Sequence, residues 1–381
     1  MKNQIDWKKI QDNYSINKEM IWLNNAGTTS IGLEQKSFIT QYFEEYSKYG
    51  IFSPNYSYPK VKSEILGILS KLINCNSDNL ALIHNTSEGM NLISQGLSLE
   101  KGDTIFILEN EYPSNYYPWE HWKTKGIKIL AIPMQNSPYE YLETIFNLIQ
   151  SSKPKLISLS PVHWCTGITL PMEEIALLCQ EHNIRLVLDG AQTVGHLDIK
   201  LEEWGVYAMA FSAWKWLLGP LGLAVIYVSN SALKELNPVF KGVQSVVGDS
   251  EYLPYKSEIK ATADRYEYST PSIVDWIYFL GSLRFLGQIG FDHVKARIYN
   301  LTSILYDGII SKGYTTTRDS CTEIKSGILA INPKRDQDIE MIANSLKEKN
   351  IICAVRMGRL RFSPHIYLSE EQLKIAIEAL P

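Results

Sequence analysis

The chain has 381 residues, 45% of them hydrophobic, which is enough for a large core and about two or three domains. A formal net charge of −4, without a cluster of basic residues, argues against nucleic acid as a partner. Five cysteines stand singly without metal-binding spacing, so we expect no metal site and a reducing, cytoplasmic location. No segment approaches the ~20 apolar residues of a membrane span, and a membrane is not expected as a partner.

The first segment, residues 1–22, is charged and amphipathic, and we predict that it packs with a small C-terminal domain. The string IWLNNAGTTS at 21–30 then predicts a short apolar strand that breaks into a glycine-containing turn. Taken alone, this turn is an ordinary loop.

The stretch at 78–99 predicts a strand, a small polar turn and an amphipathic helix from about Glu88. Such a turn presents backbone N–H groups at the positive end of a helix dipole, where a phosphate group binds. A simple helix cap at Ser87 is the alternative, and on this segment alone it is the better explanation.

Two more strands end in aromatic side chains. Residues 102–133 predict a strand and a loop dense in Tyr and Trp, and such rings either form a platform for a flat ligand or pack in a core. The strand at 155–167 leads to His163 and Trp164, and a single histidine of this kind is more often structural than catalytic.

We expect the rest of the chain to be organised around residues 185–228. They predict a buried strand ending at Asp189, a Gly-Ala-Gln turn, and a second apolar strand ending at Ser212. Lys215 follows between two tryptophans, where burial disfavours the charged amine and lowers its pKa. A lysine with this property is a usable nucleophile and suits a Schiff base.

Pyridoxal phosphate needs such a lysine, a carboxylate that keeps its pyridine nitrogen protonated, and donors for its phosphate group. Lys215, Asp189 and Ser212 fit these roles. Each also has an ordinary explanation, because an Asp after a strand often caps a turn and a Lys between tryptophans often reaches water. Their combination favours a ligand site, since open α/β sheets bind ligands outside the carboxyl ends of their strands.

Strands alternate with helices from Leu80 to Val228, which predicts an α/β fold with a mainly parallel sheet covered on both faces. Residues 231–265 are irregular and polar, and a long apolar helix from Ser272 leads into a domain of helices and short strands. The predicted units are an N-terminal segment at 1–22, a large cofactor-binding domain at 23–270 and a small C-terminal domain at 271–381.

The strings DGAQ, from Asp189 to Gln192, and FSAWKWLLGPLG, around Lys215, resemble the class V aminotransferase family. This family includes cysteine desulfurases, C-S lyases and isopenicillin N epimerase-like enzymes. The resemblance implies a fold type I pyridoxal phosphate enzyme, with a seven-stranded sheet sandwiched by helices and a smaller α+β C-terminal domain. It also implies that Asp189 pairs with the pyridine nitrogen, Gln192 bonds the ring hydroxyl and Lys215 carries the cofactor.

The resemblance assigns further residues to the cofactor. Thr86 and Ser87 occupy the turn that binds its phosphate in the family, and Tyr112 occupies the loop from which a ring stacks on the pyridine face. Trp214 stands where the family has a histidine that binds the phosphate. The string YEYSTPS resembles a family motif whose threonine, here Thr270, reaches the phosphate of the other subunit, and this implies a homodimer.

The resemblance also outlines a substrate pocket, and it extends over most of the chain. Arg361 matches the arginine of an Arg-x-Ser-x-x-x-Tyr string, which holds a substrate α-carboxylate in a planar fork. The remaining substrate-binding candidates are Asn25, Ala26, Gly27 and Trp164, of which Trp164 replaces a family asparagine with a bulkier, more apolar wall.

These residues predict an enzyme that acts on a small α-amino acid through a Cα carbanion, with Lys215 as the base. The bulky pocket favours β-elimination from a cysteine-derived substrate by a C-S lyase. Transamination, epimerisation and decarboxylation remain open, as does a member that binds a ligand without turnover. Cys353 lies in an apolar string and is expected to be an inert core thiol rather than a persulfide-forming nucleophile.

Overall fold

The computed structural model describes residues 5–318 and 325–381, so Cys321, one of the five cysteines, lies outside the described residues. The helices there are α1 (Trp7–Asp12), α2 (Leu33–Tyr49), α3 (Tyr58–Leu72), α4 (Thr86–Gly96), α5 (Tyr117–Glu120), α6 (Pro138–Ser152), α7 (Met172–Glu181), α8 (Asn230–Glu235), α9 (Ile273–Ile289), α10 (Phe291–Ser311), α11 (Ile339–Glu348) and α12 (Glu370–Glu378). The strands there are β1 (Ile21–Trp22), β2 (Leu80–Ile83), β3 (Thr104–Leu108), β4 (Lys128–Ile132), β5 (Leu156–Leu159), β6 (Arg185–Asp189), β7 (Ala208–Ser212), β8 (Ala224–Val228), β9 (Thr315–Thr316), β10 (Leu329–Asn332), β11 (Ile351–Ile352), β12 (Ala354–Arg356) and β13 (Arg359–Phe362).

The central sheet of the described residues has seven strands in the order β2-β8-β7-β6-β5-β3-β4. β8 is antiparallel to both of its neighbours, and the other adjacent pairs are parallel. Six strands therefore end at the same edge. The predicted fold class is confirmed, because this mainly parallel sheet is flanked by helices and followed by a smaller C-terminal sheet.

The residue types of the central strands explain why helices cover them. β2, β3, β5, β7 and β8 are buried along their whole length and consist almost entirely of aliphatic and aromatic residues. A strand with two apolar faces must be covered on both sides, as in parallel α/β sheets. The helix α4 packs so closely on this sheet that a Cβ added at Gly89 would lie 2.6 Å from the Ala210 Cβ.

A second sheet of four antiparallel strands, in the order β12-β13-β10-β9, forms in the C-terminal part of the described chain. β12 and β13 form a hairpin whose turn residues, Met357 and Gly358, have φ angles of 50° and 69°. Two consecutive positive φ angles are typical of the tightest hairpin turns. The two strands are therefore joined directly by this two-residue turn.

The N-terminal residues contact the C-terminal ones. β1 pairs in parallel with β11, and the Tyr14 ring stacks on Tyr367 with 4.2 Å between ring centroids. Asn24 forms an isolated bridge with Ser363. These contacts bring the turn after β1 to the edge of the second sheet, while the boundaries at residues 22 and 270 remain a prediction.

The described residues meet neither the requirement for a disulfide nor that for a membrane-spanning helix. Their four cysteines are free thiols, so they contain no disulfide. None of their helices combines the length and apolar character that crossing a membrane requires.

The contact at Gly89 gives a stability prediction. In Gly89→Ala the new methyl group meets the Ala210 Cβ at 2.6 Å and the Ile83 Cδ1 at 2.7 Å, and overpacking of this kind costs about 1–3 kcal/mol. The control is Gly67→Ala on α3, where nothing lies within 4 Å, and this change should stabilise the helix by about 0.5–1 kcal/mol. Urea unfolding of both variants measures the difference, and equal free energies of unfolding would contradict the packing described.

Candidate active site

The carboxyl ends of the parallel strands bring together residues that are far apart in the sequence. Asp189 ends β6 and Ser212 ends β7, while Lys215 follows three residues after β7. Thr86 follows β2, and the loop after β3 carries Tyr112. The predicted cofactor residues thus gather along one edge of the sheet, as expected for open α/β sheets.

Lys215 lies at the centre of this edge. Its side chain is 8% exposed, and its Nζ atom lies 5.5 Å from the centroid of the Tyr112 ring. Burial lowers the pKa of the amine to about 8, the negative charge of Asp189 opposes this shift, and the positive charge of Arg361 adds to it. The amine is therefore neutral in a larger fraction of molecules at neutral pH than an exposed lysine, as a nucleophile requires.

Asp189 is buried and held by two donors. Its Oδ1 accepts the backbone N–H of Ala191 at 2.9 Å, and its Oδ2 accepts the Ser114 hydroxyl at 2.8 Å. Burial raises the pKa of this carboxyl, while Ala191, the charge of Lys215, and Ser114 lower it. The sequence analysis missed Ser114, whose only signal was a hydroxyl residue two positions after the predicted aromatic contact.

Glu111 is a second buried carboxyl next to this group, and it was also missed. It accepts hydrogen bonds from the Ser160 hydroxyl at 2.7 Å, the Tyr112 backbone N–H at 2.8 Å and the Asn115 side chain at 3.1 Å. Burial and, after it, the nearby charge of Asp189 raise its pKa to about 7, although these hydrogen bonds act in the opposite direction. These bonds fix the loop that carries Tyr112 and Ser114.

Gln192 connects this edge to two other parts of the chain. Its side-chain N–H donates to the Ala26 carbonyl at 2.8 Å, and its side-chain oxygen accepts the indole N–H of Trp216 at 3.0 Å. The turn after β1, which contains the predicted Ala26 and Gly27, is thereby fastened beside the lysine. The bond from Gln192 to a ring hydroxyl remains a prediction.

Arg361 reaches the site from the second sheet. It is 2% exposed, and its Nη1 and Nη2 donate to the Trp164 carbonyl at 2.7 Å and to the Asn24 Oδ1 at 3.1 Å. Its Nε is buried without a hydrogen-bond partner, and burial lowers the pKa of the guanidinium to about 10. A buried guanidinium contacted only by neutral oxygens has capacity for an anionic ligand.

The polar atoms at the other end of the edge fit a phosphate group. Thr86 Oγ1 and Ser212 Oγ are both buried, and neither has a hydrogen-bond partner. The two residues are brought close because Ser212 and Ile83 both pair with Ala224 of the strand between them. Buried hydroxyl groups without partners are normally satisfied by a ligand or by water. Here Thr86 also lies at the start of a helix, where a phosphate group is favoured.

The other predicted residues are placed as follows. Tyr112 is 43% exposed and meets the half-buried Trp164 edge to face, at 5.5 Å between ring centroids, so the two rings form one wall. Ser87 is exposed on the first turn of α4. The Trp214 carbonyl accepts both the N–H and the hydroxyl of Thr29.

The side chains of Asn25 and Thr270 make none of the contacts described above. The Asn25 amide donates to the carbonyls of Ser363 and Trp22, and its oxygen accepts the Tyr367 hydroxyl, so its polar atoms serve packing between the two ends of the chain. Its neighbour Asn24, which the sequence analysis did not single out, is the residue that contacts Arg361. Thr270 is exposed on the surface.

Together, the sheet, the buried lysine and carboxylate pair, and the two unpartnered hydroxyls define a site of the fold type I pyridoxal phosphate class. The sequence model of the class-V aminotransferases matches residues 21–372, and the chain belongs to this family. Its cofactor is pyridoxal 5′-phosphate, as predicted.

Several known proteins are similar to this chain. An uncharacterised aminotransferase of Schizosaccharomyces pombe is 28% identical, over 73% of this chain and 72% of its own. A probable cysteine desulfurase of Pyrococcus abyssi is 25% identical, over 97% and 96% respectively. Among solved structures, an apo cysteine desulfurase of Thermococcus onnurineus has a TM-score of 0.88 at 20% identity, covering 99% of this chain and 98% of its own.

A further solved structure contains a reaction product. It is a complex of the cystine C-S lyase C-DES with cysteine persulfide, with a TM-score of 0.85 at 20% identity, covering 94% of this chain and 96% of its own. At these identities the structural likeness confirms the fold alone.

The pKa of Lys215 predicts how the protein captures its cofactor. Covalent attachment to pyridoxal phosphate, fixed with borohydride, should increase with pH with a midpoint near 8, because only the neutral amine reacts. Asp189→Asn removes the negative charge that raises this pKa, so its midpoint should move to lower pH. Lys215→Ala is the control that abolishes attachment, and a wild-type midpoint near that of a free lysine would contradict the burial of the amine.

Ser114 gives a second prediction. Ser114→Ala removes one of the two donors to Asp189, so the pKa of that carboxyl should rise and its ionised form should be less available to a pyridine nitrogen. We expect cofactor affinity to fall about tenfold, the cost of one charge-assisted hydrogen bond, in equilibrium dialysis. Ser94→Ala, which removes a buried serine bonded to the Pro118 carbonyl, is the matched control. Equal affinity in both variants would show that Ser114 does not support Asp189.

Proposed function

We propose that this protein is a pyridoxal-phosphate-dependent C-S lyase that eliminates sulfur from cysteine or a cysteine-derived amino acid. The observation that carries this proposal is the buried Lys215, which has a lowered pKa and lies within the electrostatic influence of both Asp189 and Arg361. The names of the similar proteins, which include probable cysteine desulfurases and a cystine C-S lyase, support the same class of substrate.

Each residue of the site has a separate role in the proposed reaction. Bound pyridoxal phosphate supplies an aldehyde for covalent attachment and a ring that takes up electrons from Cα. The ionised Asp189 keeps a positive charge favourable on the pyridine nitrogen, and Arg361 holds the substrate carboxylate. Lys215, with its amine free, removes the proton from Cα, and Tyr112 and Trp164 shield the reacting atoms from water.

Elimination is favoured over sulfur transfer to an enzyme cysteine because of the state of the described thiols. Burial raises the pKa of Cys75, Cys179 and Cys353 to about 12, and it raises the pKa of Cys165 as well. Cys165 is fully buried, and its thiol donates to the Arg356 carbonyl. A nucleophilic cysteine reacts as the thiolate, and burial disfavours the thiolate at all four of these residues.

The reaction is tested with a panel of cysteine S-conjugates and other amino acids in single turnover. A lyase gives pyruvate, ammonia and free thiol in equal amounts, with the enzyme returned to its starting absorbance spectrum. A keto acid together with cofactor retained in its amine form, which a second keto acid discharges, would instead show an aminotransferase. Colourless protein after incubation with excess cofactor would show a member without catalytic function.

Cys353→Ala separates elimination from persulfide formation. This thiol lies between β11 and β12 in apolar surroundings, so the variant should keep the wild-type rate of thiol release. Cys179→Ala, another buried thiol, is the control for loss of packing. A selective loss of sulfur release in Cys353→Ala would overturn the proposed route.

We also propose that the active species is a two-fold homodimer in which Thr270 reaches the phosphate site of the partner. Thr270 is exposed, and the nearby chain presents unusually exposed large side chains, with Tyr252 at 75%, Leu253 at 68% and Tyr255 at 90%. Exposed apolar groups that are close together are typical of an interface.

Sedimentation tests the dimer. The wild-type protein should sediment with twice the mass of the chain, and Leu253→Asp should shift it towards the monomer with a loss of cofactor affinity. Met341→Asp, which changes another exposed residue at 67% exposure, is the matched control and should stay dimeric. A fully active wild-type monomer would rule out the shared site.

A further inference from the structure

The hairpin that carries Arg361 places three arginines on one of its faces. Ala354 pairs with Arg361 and Arg356 pairs with Arg359, while the alternate pair joins Val355 to Leu360. Side chains of directly opposed residues point to the same side, and successive residues point to opposite sides. Arg356, Arg359 and Arg361 therefore share a face.

The two faces of this hairpin have different surroundings. Leu360 is 1% exposed and belongs to the hydrophobic core, against which Val355 packs. The opposite face meets the site, because the Arg361 side chain donates to the Trp164 carbonyl. The Cys165 thiol donates to the backbone carbonyl of Arg356, which keeps the outer end of the hairpin beside the same loop. The hairpin thus lies against the loop after β5, with its arginines on the side of the substrate wall.

The arginines differ in exposure along this face. Arg361 is buried, Arg359 is half-buried and donates from Nε to Asn332 Oδ1, and Arg356 is exposed. Within residues 5–318 and 325–381, no carboxylate oxygen lies within 4 Å of the three guanidinium groups. They form a positively charged strip that leads from the exposed Arg356 to the buried Arg361.

The distances between the three arginines indicate how far apart two acid groups on a bound ligand would be. Arg359 and Arg361 are two residues apart on one strand, which separates their Cα atoms by about 7 Å. Arg356 lies beside Arg359, at about 5 Å between Cβ atoms of directly paired residues. A ligand with one acid group at Arg361 and another at the Arg356–Arg359 pair would therefore separate its two anions on the scale of this Cα spacing, about 7 Å.

We propose that the substrate is an α-amino acid with a second acid group on its side chain, bound distally by Arg356 with Arg359. This inference rests on the proposed function, in which Arg361 holds the α-carboxylate. In the elimination reaction the second acid group leaves with the thiol, so the departing fragment is an acidic thiol. Arg356 and Arg359 act as specificity residues, because they contact the part of the substrate that is not attached to the reacting Cα.

The first test is equilibrium binding to the cofactor-loaded protein, and it needs no turnover. Calorimetry at low ionic strength compares adipate, whose carboxyl groups can reach the required separation, with succinate, whose groups cannot, and with hexanoate, which has one. Wild-type protein should bind adipate at least tenfold more tightly than either, since a charge-assisted hydrogen bond is worth about that factor. Equal affinity for the three acids would overturn the proposal.

Variants assign the preference to the strip. Arg356→Gln should lose most of the preference for adipate, and Arg356→Lys should keep part of it, because the charge remains. The matched control is Arg185→Gln, which removes an arginine from the start of β6, at the edge of the sheet opposite the site. Loss of the preference in Arg185→Gln to the same extent as in Arg356→Gln would contradict the assignment.

A kinetic test uses S-(2-carboxyethyl)cysteine and its uncharged isostere S-(2-carbamoylethyl)cysteine. In Arg356→Gln, KM should rise about tenfold for the acid and stay unchanged for the amide, while kcat is preserved for both. A fall in kcat for both substrates would show a structural effect and would contradict a specificity role. If neither conjugate is cleaved while wild-type protein still prefers adipate, the proposed elimination fails and the two-anion site stands.

Discussion

The central constraint in this structure is the cost of burying the amine of Lys215. A pKa lowered from 10.5 to about 8 corresponds to about 3 kcal/mol in favour of the neutral form. The charged amine can remain in the site because the negative charge of Asp189, at the end of the adjacent strand, offsets part of its cost of desolvation. The neutral amine costs little to bury. The packing that covers the carboxyl ends of the strands therefore also makes the lysine a better nucleophile, because it buries the amine and lowers its pKa.

The residues around Lys215 come from separate parts of the chain: the loop after β3, the turn after β1 and the second sheet. The loop after β3 holds Asp189 through Ser114, and Gln192 fastens the turn after β1 through the Ala26 carbonyl. The second sheet contributes the guanidinium of Arg361. In the proposed function, the central sheet therefore supplies the groups that face the cofactor, and Arg361 of the second sheet faces the substrate carboxylate.

The sequence predicted the parts of the site that depend on local pattern. The strand ends at Asp189 and Ser212 and the lysine after them follow from apolar runs and turns, and the structure has strands ending at both positions. Ser114 and Asn24 were not predicted, because their partners lie 75 and 337 residues away and nothing in the local sequence records such contacts. The family resemblance assigned roles, but it could not show which hydroxyl or amide contacts which charge.

The resting contacts of Arg361 affect what the site can accept. Its two Nη groups already donate to the Trp164 carbonyl and the Asn24 oxygen, so a ligand must exchange with these neutral acceptors or add to the unpartnered Nε. A carboxylate can do so because a charge-assisted bond to a guanidinium is roughly twice as strong as a neutral one. A simple amine lacks that gain and would leave the guanidinium buried without a counter-charge. Under the proposed role of Arg361, selection for amino acids over amines therefore follows from the burial of this one side chain.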